Sequence, residues 1–341
     1  MPETPRVGHS GSVTSPTART AARAALTHVP LSTRPLPPLE PVLPPWPGAV
    51  EEVGGVALNV RRTPGPDGPV AVYVHGLGGS SSNWTDLAAL LSPVATGRAV
   101  DLPGFGYSEP EEPFDFSLGA HARVLAKYVE GLGAGPVHLL GNSMGGAVAL
   151  LLAAQRPELV RTLTLISPAM PDRRPDPRRL SDPLMPLLLL PVVGSRVRRR
   201  MAALTPRERA AQVIRLCFHE PERFPDARLD ELAEEHGARA ALAWAAPALA
   251  RSTFGIFRAW SARGEGSLWA VAPRVHAPTL IVWGLHDRVI SVRRAPRTAR
   301  LLPHGRLLVL PRTGHVAQME RPNVVARAVL GLWESAENGQ W

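Results

Sequence analysis

From about residue 48 the chain alternates between two hydrophobic rhythms. AVEEVGGVALNVRRT (49–63) has the short-period, β-favouring pattern of strands, and PGPDG (64–68) is a turn before the apolar run VAVYV. GRAVD (97–101), PVHLL (136–140) and VRTLTLI (160–166) repeat the strand pattern. Between them lie helix-like stretches. SLGAHARVLAKYVEGLG (117–133) is amphipathic, and AVALLLAAQRP, rich in Ala and Leu and ending at Pro157, reads as a buried helix. Alternating strands and helices predict an α/β fold with a doubly wound, mostly parallel sheet flanked by helices.

The alternation stops at about 171 and resumes at about 276. Roughly a hundred residues without strand rhythm, late in the sheet, predict a mainly helical cap over 171–275. Within it, PLMPLLLLPVVG (183–194) is apolar but broken by prolines, RVRRR (196–200) follows, and DARLDELAEEHGARAALAWAAPALA (226–250) predicts one or two amphipathic helices. The core is expected in two parts, 46–170 and 276–341. Residues 1–45 are Pro-, Ser-, Thr-, Ala- and Arg-rich, and predict a disordered or polyproline tail whose removal to residue 40 leaves stability unchanged. Trp46 and Pro47 are candidates for docking it.

One position raises the question of chemistry. In HLLGNSMGGAVALLLAA (138–154) a single serine, Ser143, stands where the strand rhythm gives way to the helix rhythm. A sharp strand-to-helix turn holds its central residue in strained geometry, and Gly141, Gly145 and Gly146 remove the Cβ atoms that would collide there. The hydroxyl is then presented at the N-terminus of a helix, where free N–H groups and the positive dipole end gather. A serine hydroxyl is a weak nucleophile at neutral pH, so it needs a base and a group to orient that base. Two later strand ends supply candidates. TLIVWGLHDRVIS (279–291) carries Asp287 in the turn after its apolar run, and GRLLVLPRTGHVAQMERP (305–322) places His315 just past a strand. In a parallel sheet these ends open on one edge.

These residues carry a resemblance to the α/β-hydrolase superfamily. VAVYVHGLGGSSSNW (70–84) resembles the family's strand and oxyanion loop, DLPGFGYS (101–108) its following turn, and GNSMGG, GLHDRVIS and RTGHVAQMERP its nucleophile, acid and base motifs. The resemblance spans about residues 46–336, more weakly in the middle. It implies Ser143 as nucleophile, His315 as general base and acid, and Asp287 as the group orienting the imidazole. It also implies an oxyanion hole from the backbone N–H groups of Leu77 and Met144, with His75, Gly76, Gly141 and Gly145 shaping the loops. His286 is an alternative base, and Asp172 stands where some family members keep their acid. Asp101 reads as a turn residue and Glu320 as a helix-surface charge.

Composition narrows the rest. The 11 histidines are scattered without metal-site spacing, and no metal or cofactor is expected. Cys217 is the only cysteine, so no internal disulfide is possible. The formal charge of +9 comes from arginine, since Lys127 is the only lysine. Without aromatic-interleaved basic motifs this is not a nucleic-acid signature. Residues 171–275 hold 18 arginines against 12 acidic residues. That charge is either a solvated face or a peripheral contact with anionic head groups or an acidic substrate. The apolar run at 183–194 either packs the cap or lines an acyl pocket. No run reaches the length of a membrane span, and a soluble, cytoplasmic protein is expected.

The expected activity is ester hydrolysis of a small-molecule ester or acyl substrate with an apolar portion, by a carboxylesterase or lipase-like enzyme. The alternatives are carbon–carbon hydrolysis of ring-cleavage vinylogous diketones, cofactor-free perhydrolase or acyltransferase activity, and a non-catalytic hydrolase-like binding protein. Aspartate-nucleophile dehalogenases and epoxide hydrolases do not fit a serine. Val316 stands where carbon–carbon hydrolases often carry Trp.

Overall fold

The computed structural model describes residues 28–40, 42–173 and 203–341. Its centre is an eight-stranded sheet of order β1-β2-β4-β3-β5-β6-β7-β8. The strands are β1 (Gly48–Val53), β2 (Val56–Thr63), β3 (Val70–Val74), β4 (Thr96–Val100), β5 (Val137–Asn142), β6 (Val160–Ile166), β7 (Thr279–Gly284) and β8 (Gly305–Leu310). β1 and β2 form a hairpin, β2 pairs antiparallel with β4, and the remaining pairs are parallel. The turn between β1 and β2 uses Gly54 and Gly55 at φ +61° and +70°.

The parallel strands are apolar on both faces because both faces are covered. In β3, Val72 and Val74 join one core cluster while Ala71 and Tyr73 join the other, the two-residue period dividing them across the sheet. The first cluster packs under α2 (Leu118–Gly131) and α3 (Met144–Gln155), the second under α1 (Thr85–Leu91) and α10 (Pro322–Glu337). α2 starts where Ser117 accepts a hydrogen bond from the Ala120 N–H at 3.0 Å. α3, apolar on all sides, is almost wholly buried.

The strand rhythm ends at Ile166 and restarts at Thr279. The described residues between them contain α4 (Pro206–Cys217), α5 (Asp226–Ala240), α6 (Ala245–Ser261) and α7 (Leu268–Val271), with no strand. α4 opens on a capping box, Thr205 and Glu208. α8 (Ala295–Leu301) and α9 (Ala317–Glu320) follow β7 and β8. The apolar run at 183–194 and the arginines at 196–200 lie outside the described residues.

Part of the segment read as an unpacked tail is docked. The Ser32 N–H donates to the Arg327 carbonyl at 2.9 Å, the Ser32 hydroxyl donates to Glu334 at 2.7 Å, and Arg327 returns a bond to the Ser32 carbonyl. Val29, Leu36 and Leu39 pack against the cluster that contains Trp333. Gly331 on α10 makes room: a Cβ there would lie 2.0 Å from the Pro30 carbonyl oxygen. Three spaced apolar residues in a proline-rich stretch have no helical or strand period, yet they pack against the core cluster. Trp46 donates its indole N–H to the Thr85 carbonyl at 3.1 Å.

Candidate active site

β5 ends at Asn142 and α3 begins at Met144, leaving Ser143 to turn the chain alone. It does so at φ +52°, ψ −116°, a region costly for any residue with a Cβ. Its backbone is held from both sides. The Ser143 N–H donates to the Ile166 carbonyl at 3.0 Å, and its carbonyl accepts from Ala147 at 3.1 Å and Ala169 at 2.8 Å. Two glycines permit the approach of the chains. A Cβ at Gly145 would lie 2.3 Å from the Val74 and His75 carbonyl oxygens, and one at Gly141 would lie 2.4 Å from that of Gly145.

The β7 and β8 turns bring Asp287 and His315 together. Nδ1 of His315 lies 2.8 Å from Oδ2 of Asp287, whose carboxyl is fully buried while the imidazole is 5% exposed. The other Asp287 oxygen accepts from the Val289 and Ile290 N–H groups at 2.8 and 2.9 Å, which fixes its direction. Ser143 is tied to this pair through its neighbour: the Asn142 amide donates to the carbonyls of His315 and Ile166, each at 3.1 Å. Asn142 stood in the quoted motif without a role. Its position at the end of a buried strand, where a polar side chain needs partners, is the signal.

The loop after β3 lies against Ser143, since a Cβ at Gly76 would sit 3.1 Å from the Ser143 Cβ. His75 holds this loop rather than facing chemistry. Its Nδ1–H donates to the Gly76 carbonyl at 2.7 Å, and Nε2 accepts the Leu102 N–H at 3.0 Å. That pattern requires the neutral ring, and complete burial lowers its pKa accordingly. Leu77 follows in the loop. Met144 opens α3, where its N–H has no partner within the helix.

The reserve candidates are engaged elsewhere. Asp172 is fully buried, and its Oδ1 accepts from Arg294 Nε and Nη2 at 3.0 and 2.8 Å. Its other oxygen accepts from the Ser291 N–H at 3.1 Å. His286 is exposed and stacks on His219, with ring centroids 4.0 Å apart.

Two acidic residues read from sequence as incidental are structural hubs. Asp101 is buried and accepts from the Asn59 amide and from the N–H groups of Ser81 and Tyr107. It therefore joins β2, the loop after β3 and the turn after β4. Glu320 accepts from the Gly314 N–H at 2.6 Å with one oxygen, and from the His219 and Glu220 N–H groups at 2.9 and 3.0 Å with the other. The His315 N–H donates to the Cys217 carbonyl at 2.6 Å. The segment after α4 is thus bonded directly to the histidine loop. Sequence spacing cannot show such a bond, because the partners are about a hundred residues apart.

The helical segment also grips the other side. Arg239 on α5 donates to the Gly78 carbonyl at 3.1 Å and pairs with Glu235, which accepts from the Ser82 hydroxyl at 2.8 Å. Among the described residues, no group of three or more His, Cys, Asp or Glu is arranged to hold a metal ion.

Comparison with known proteins places these features in context. The model of a family described as alpha/beta hydrolase fold matches residues 69–322. The chain is 26% identical over 287 residues to a monoacylglycerol lipase of Rattus norvegicus, covering 82% of this chain and 79% of the lipase. It is 26% identical over 288 residues to a 2-hydroxy-6-oxo-6-phenylhexa-2,4-dienoate hydrolase of Burkholderia cepacia, covering 82% and 93%. Among solved structures, a membrane phospholipase A described as a bacterial virulence factor superposes with a TM-score of 0.68 at 24% identity. That match covers 94% of this chain and 91% of the phospholipase.

Proposed function

Because the chain belongs to the alpha/beta hydrolase fold family and is a hydrolase, we propose that it cleaves carboxylic esters through an acyl-enzyme on Ser143. The observation that carries this reading is the buried His315–Asp287 hydrogen bond, tied by Asn142 to a serine in strained turn geometry. The cost of that turn is met only where surrounding bonds hold it, and such strain is characteristic of functional positions.

In this reading the Asp287 carboxylate accepts the Nδ1–H of His315, which leaves the Nε2 lone pair to serve as base. Nε2 takes the Ser143 proton as Oγ attacks the ester carbonyl carbon. The N–H groups of Leu77 and Met144 receive the oxyanion, and each such donor contributes about 10²- to 10³-fold in rate. Collapse expels the alcohol, which receives the proton from His315. Water then gives a proton to His315 and attacks the acyl carbon, and collapse releases the acid and restores Ser143. The helical segment between β6 and β7 serves as the cap, gripping the loop of Leu77 through Arg239 and the loop of His315 through Cys217.

The similarity to a dienoate hydrolase favours a second reading, carbon–carbon hydrolysis of a vinylogous diketone. A panel of p-nitrophenyl esters of rising chain length, run beside such a diketone, separates the two. Ester turnover with no diketone turnover is the expected result. The reverse result assigns the second reading.

A further inference from the structure

A cavity of about 600 Å³ lies where the chain leaves β6, between residues of α6, α7 and α8. It is lined by the guanidinium-bearing residues Arg173, Arg263, Arg294 and Arg297 and by Trp260 and Trp269, and among the described residues no acidic one is in its lining. Buried Asp172 offsets the charge of Arg294, and the three guanidinium groups gathered beside it repel one another, an arrangement that a bound anion would relieve.

Three of the arginines are held in place by described partners that engage only part of each guanidinium group or its face. Arg294 is bonded from below by buried Asp172 through Nε and Nη2. Arg173 donates its Nε to the Trp260 carbonyl at 2.8 Å. Arg297 lies over the Trp269 ring with 4.2 Å to its centroid. Trp260 is itself fixed, donating its indole N–H to the Ala169 carbonyl at 2.9 Å. Guanidinium groups oriented in advance lose less entropy when they bind an anion, and their planar forks match carboxylate and phosphate oxygens. The two indoles add flat apolar surface beside the cations. The volume suits a small organic molecule.

We propose that this cleft is a binding site for an organic anion: a carboxylate or phosphate, bound by the arginines, joined to an aromatic or other flat apolar body that lies on the tryptophans. It is independent of the assignment of Ser143. Segment 169–173 runs between the two, since the Ala169 N–H bonds the Ser143 carbonyl while its own carbonyl takes the Trp260 indole.

Isothermal titration of the full chain with phenyl phosphate, phenylacetate, inorganic phosphate and the neutral phenylacetamide tests this. Saturable binding of at least one aromatic anion is expected, weakened by added salt, with inorganic phosphate and phenylacetamide at least tenfold weaker. The tighter of phenyl phosphate and phenylacetate identifies the acid group. Arg263→Ala and Arg297→Ala should each weaken that binding at least tenfold. Both side chains are exposed, so melting temperature and p-nitrophenyl acetate hydrolysis should stay at wild-type values. Arg263→Gln and Arg297→Gln provide the same test if an alanine variant is unstable. The proposal is overturned if neither aromatic anion binds saturably up to about 10 mM, if the neutral amide binds equally well, or if both variants bind like wild type.

Discussion

The side-chain amide of Asn142 donates to the backbone carbonyl of His315 across 173 residues of sequence, at 3.1 Å. The residue that precedes the strained serine therefore carries the loop of the imidazole, and displacement of one strand end is felt at the other. Asn142→Leu removes this bond and leaves the buried His315 carbonyl without its amide donor, while the Ile166 carbonyl keeps the Ser143 N–H, at a cost of about 1–3 kcal/mol. Esterase kcat should fall at least tenfold with less change in KM, as measured on a p-nitrophenyl ester; wild-type kcat would show that the bond has no positioning role.

Asp287→Asn keeps the shape of the acid while reversing what it offers to Nδ1. The imidazole then favours the tautomer with its proton on Nε2, where no base is available to Ser143. A loss of about 10³- to 10⁴-fold in kcat is expected, measured under saturating substrate. Asp172→Asn should instead act on stability, since it weakens the buried pair with Arg294. If the Asp172 variant lost more activity per folded molecule, the roles of the two acids would be exchanged.

Glu320→Gln tests the contact between the helical segment and the histidine loop. The carboxylate accepts three backbone N–H groups. An amide turns one acceptor into a donor facing donors, so a loss of about 2 kcal/mol in stability and a drop in kcat are expected. Thermal melting and steady-state rates report the two effects separately.

Stability should also fall with acid in a defined window. Burial pushes both His121 and His138 down to about 3. Between that value and the ordinary imidazole value of about 6.5, the unfolded chain binds protons that the folded chain refuses, so stability declines as pH drops through this range. Each imidazole contributes a slope of up to about 1.4 kcal/mol per pH unit. Chemical denaturation of His138→Gln between pH 6 and 4.5 should show a shallower decline than wild type; an equal slope would show that His138 takes up a proton in the fold.

Deleting residues 1–40 is expected to cost about 2 kcal/mol, a drop of several degrees in melting temperature, because Val29, Leu36 and Leu39 leave the surface of α10. This reverses the expectation drawn from composition. A proline-rich segment has no period to betray packing, and its partner, the α10 surface around Gly331, lies three hundred residues away.

The same contrast runs through the molecule. The sheet and the strained turn at Ser143 were legible because strand and helix periods change at fixed, local points, and glycines at 141 and 145 mark where backbones nearly touch. The hydrogen-bonded meeting of Asp287 and His315 was legible because both follow apolar strand runs on one sheet edge. The bonding roles of Asp101, read as a turn residue, and Glu320, read as a helix-surface charge, were not legible, since a carboxylate that binds distant N–H groups has no local signature. The grips of Arg239 on Gly78 and of Cys217 on His315 involve backbone carbonyls, which no side-chain pattern encodes.

Ester hydrolysis as proposed depends on Ser143 as the nucleophile. A fluorophosphonate probe applied to wild type and to Ser143→Ala, followed by mass mapping of the labelled peptide, tests it most directly. A single adduct on the peptide containing Ser143 is expected, with a folded variant that takes no label and hydrolyses no ester. Labelling of the Ser143→Ala protein at the wild-type rate would contradict it.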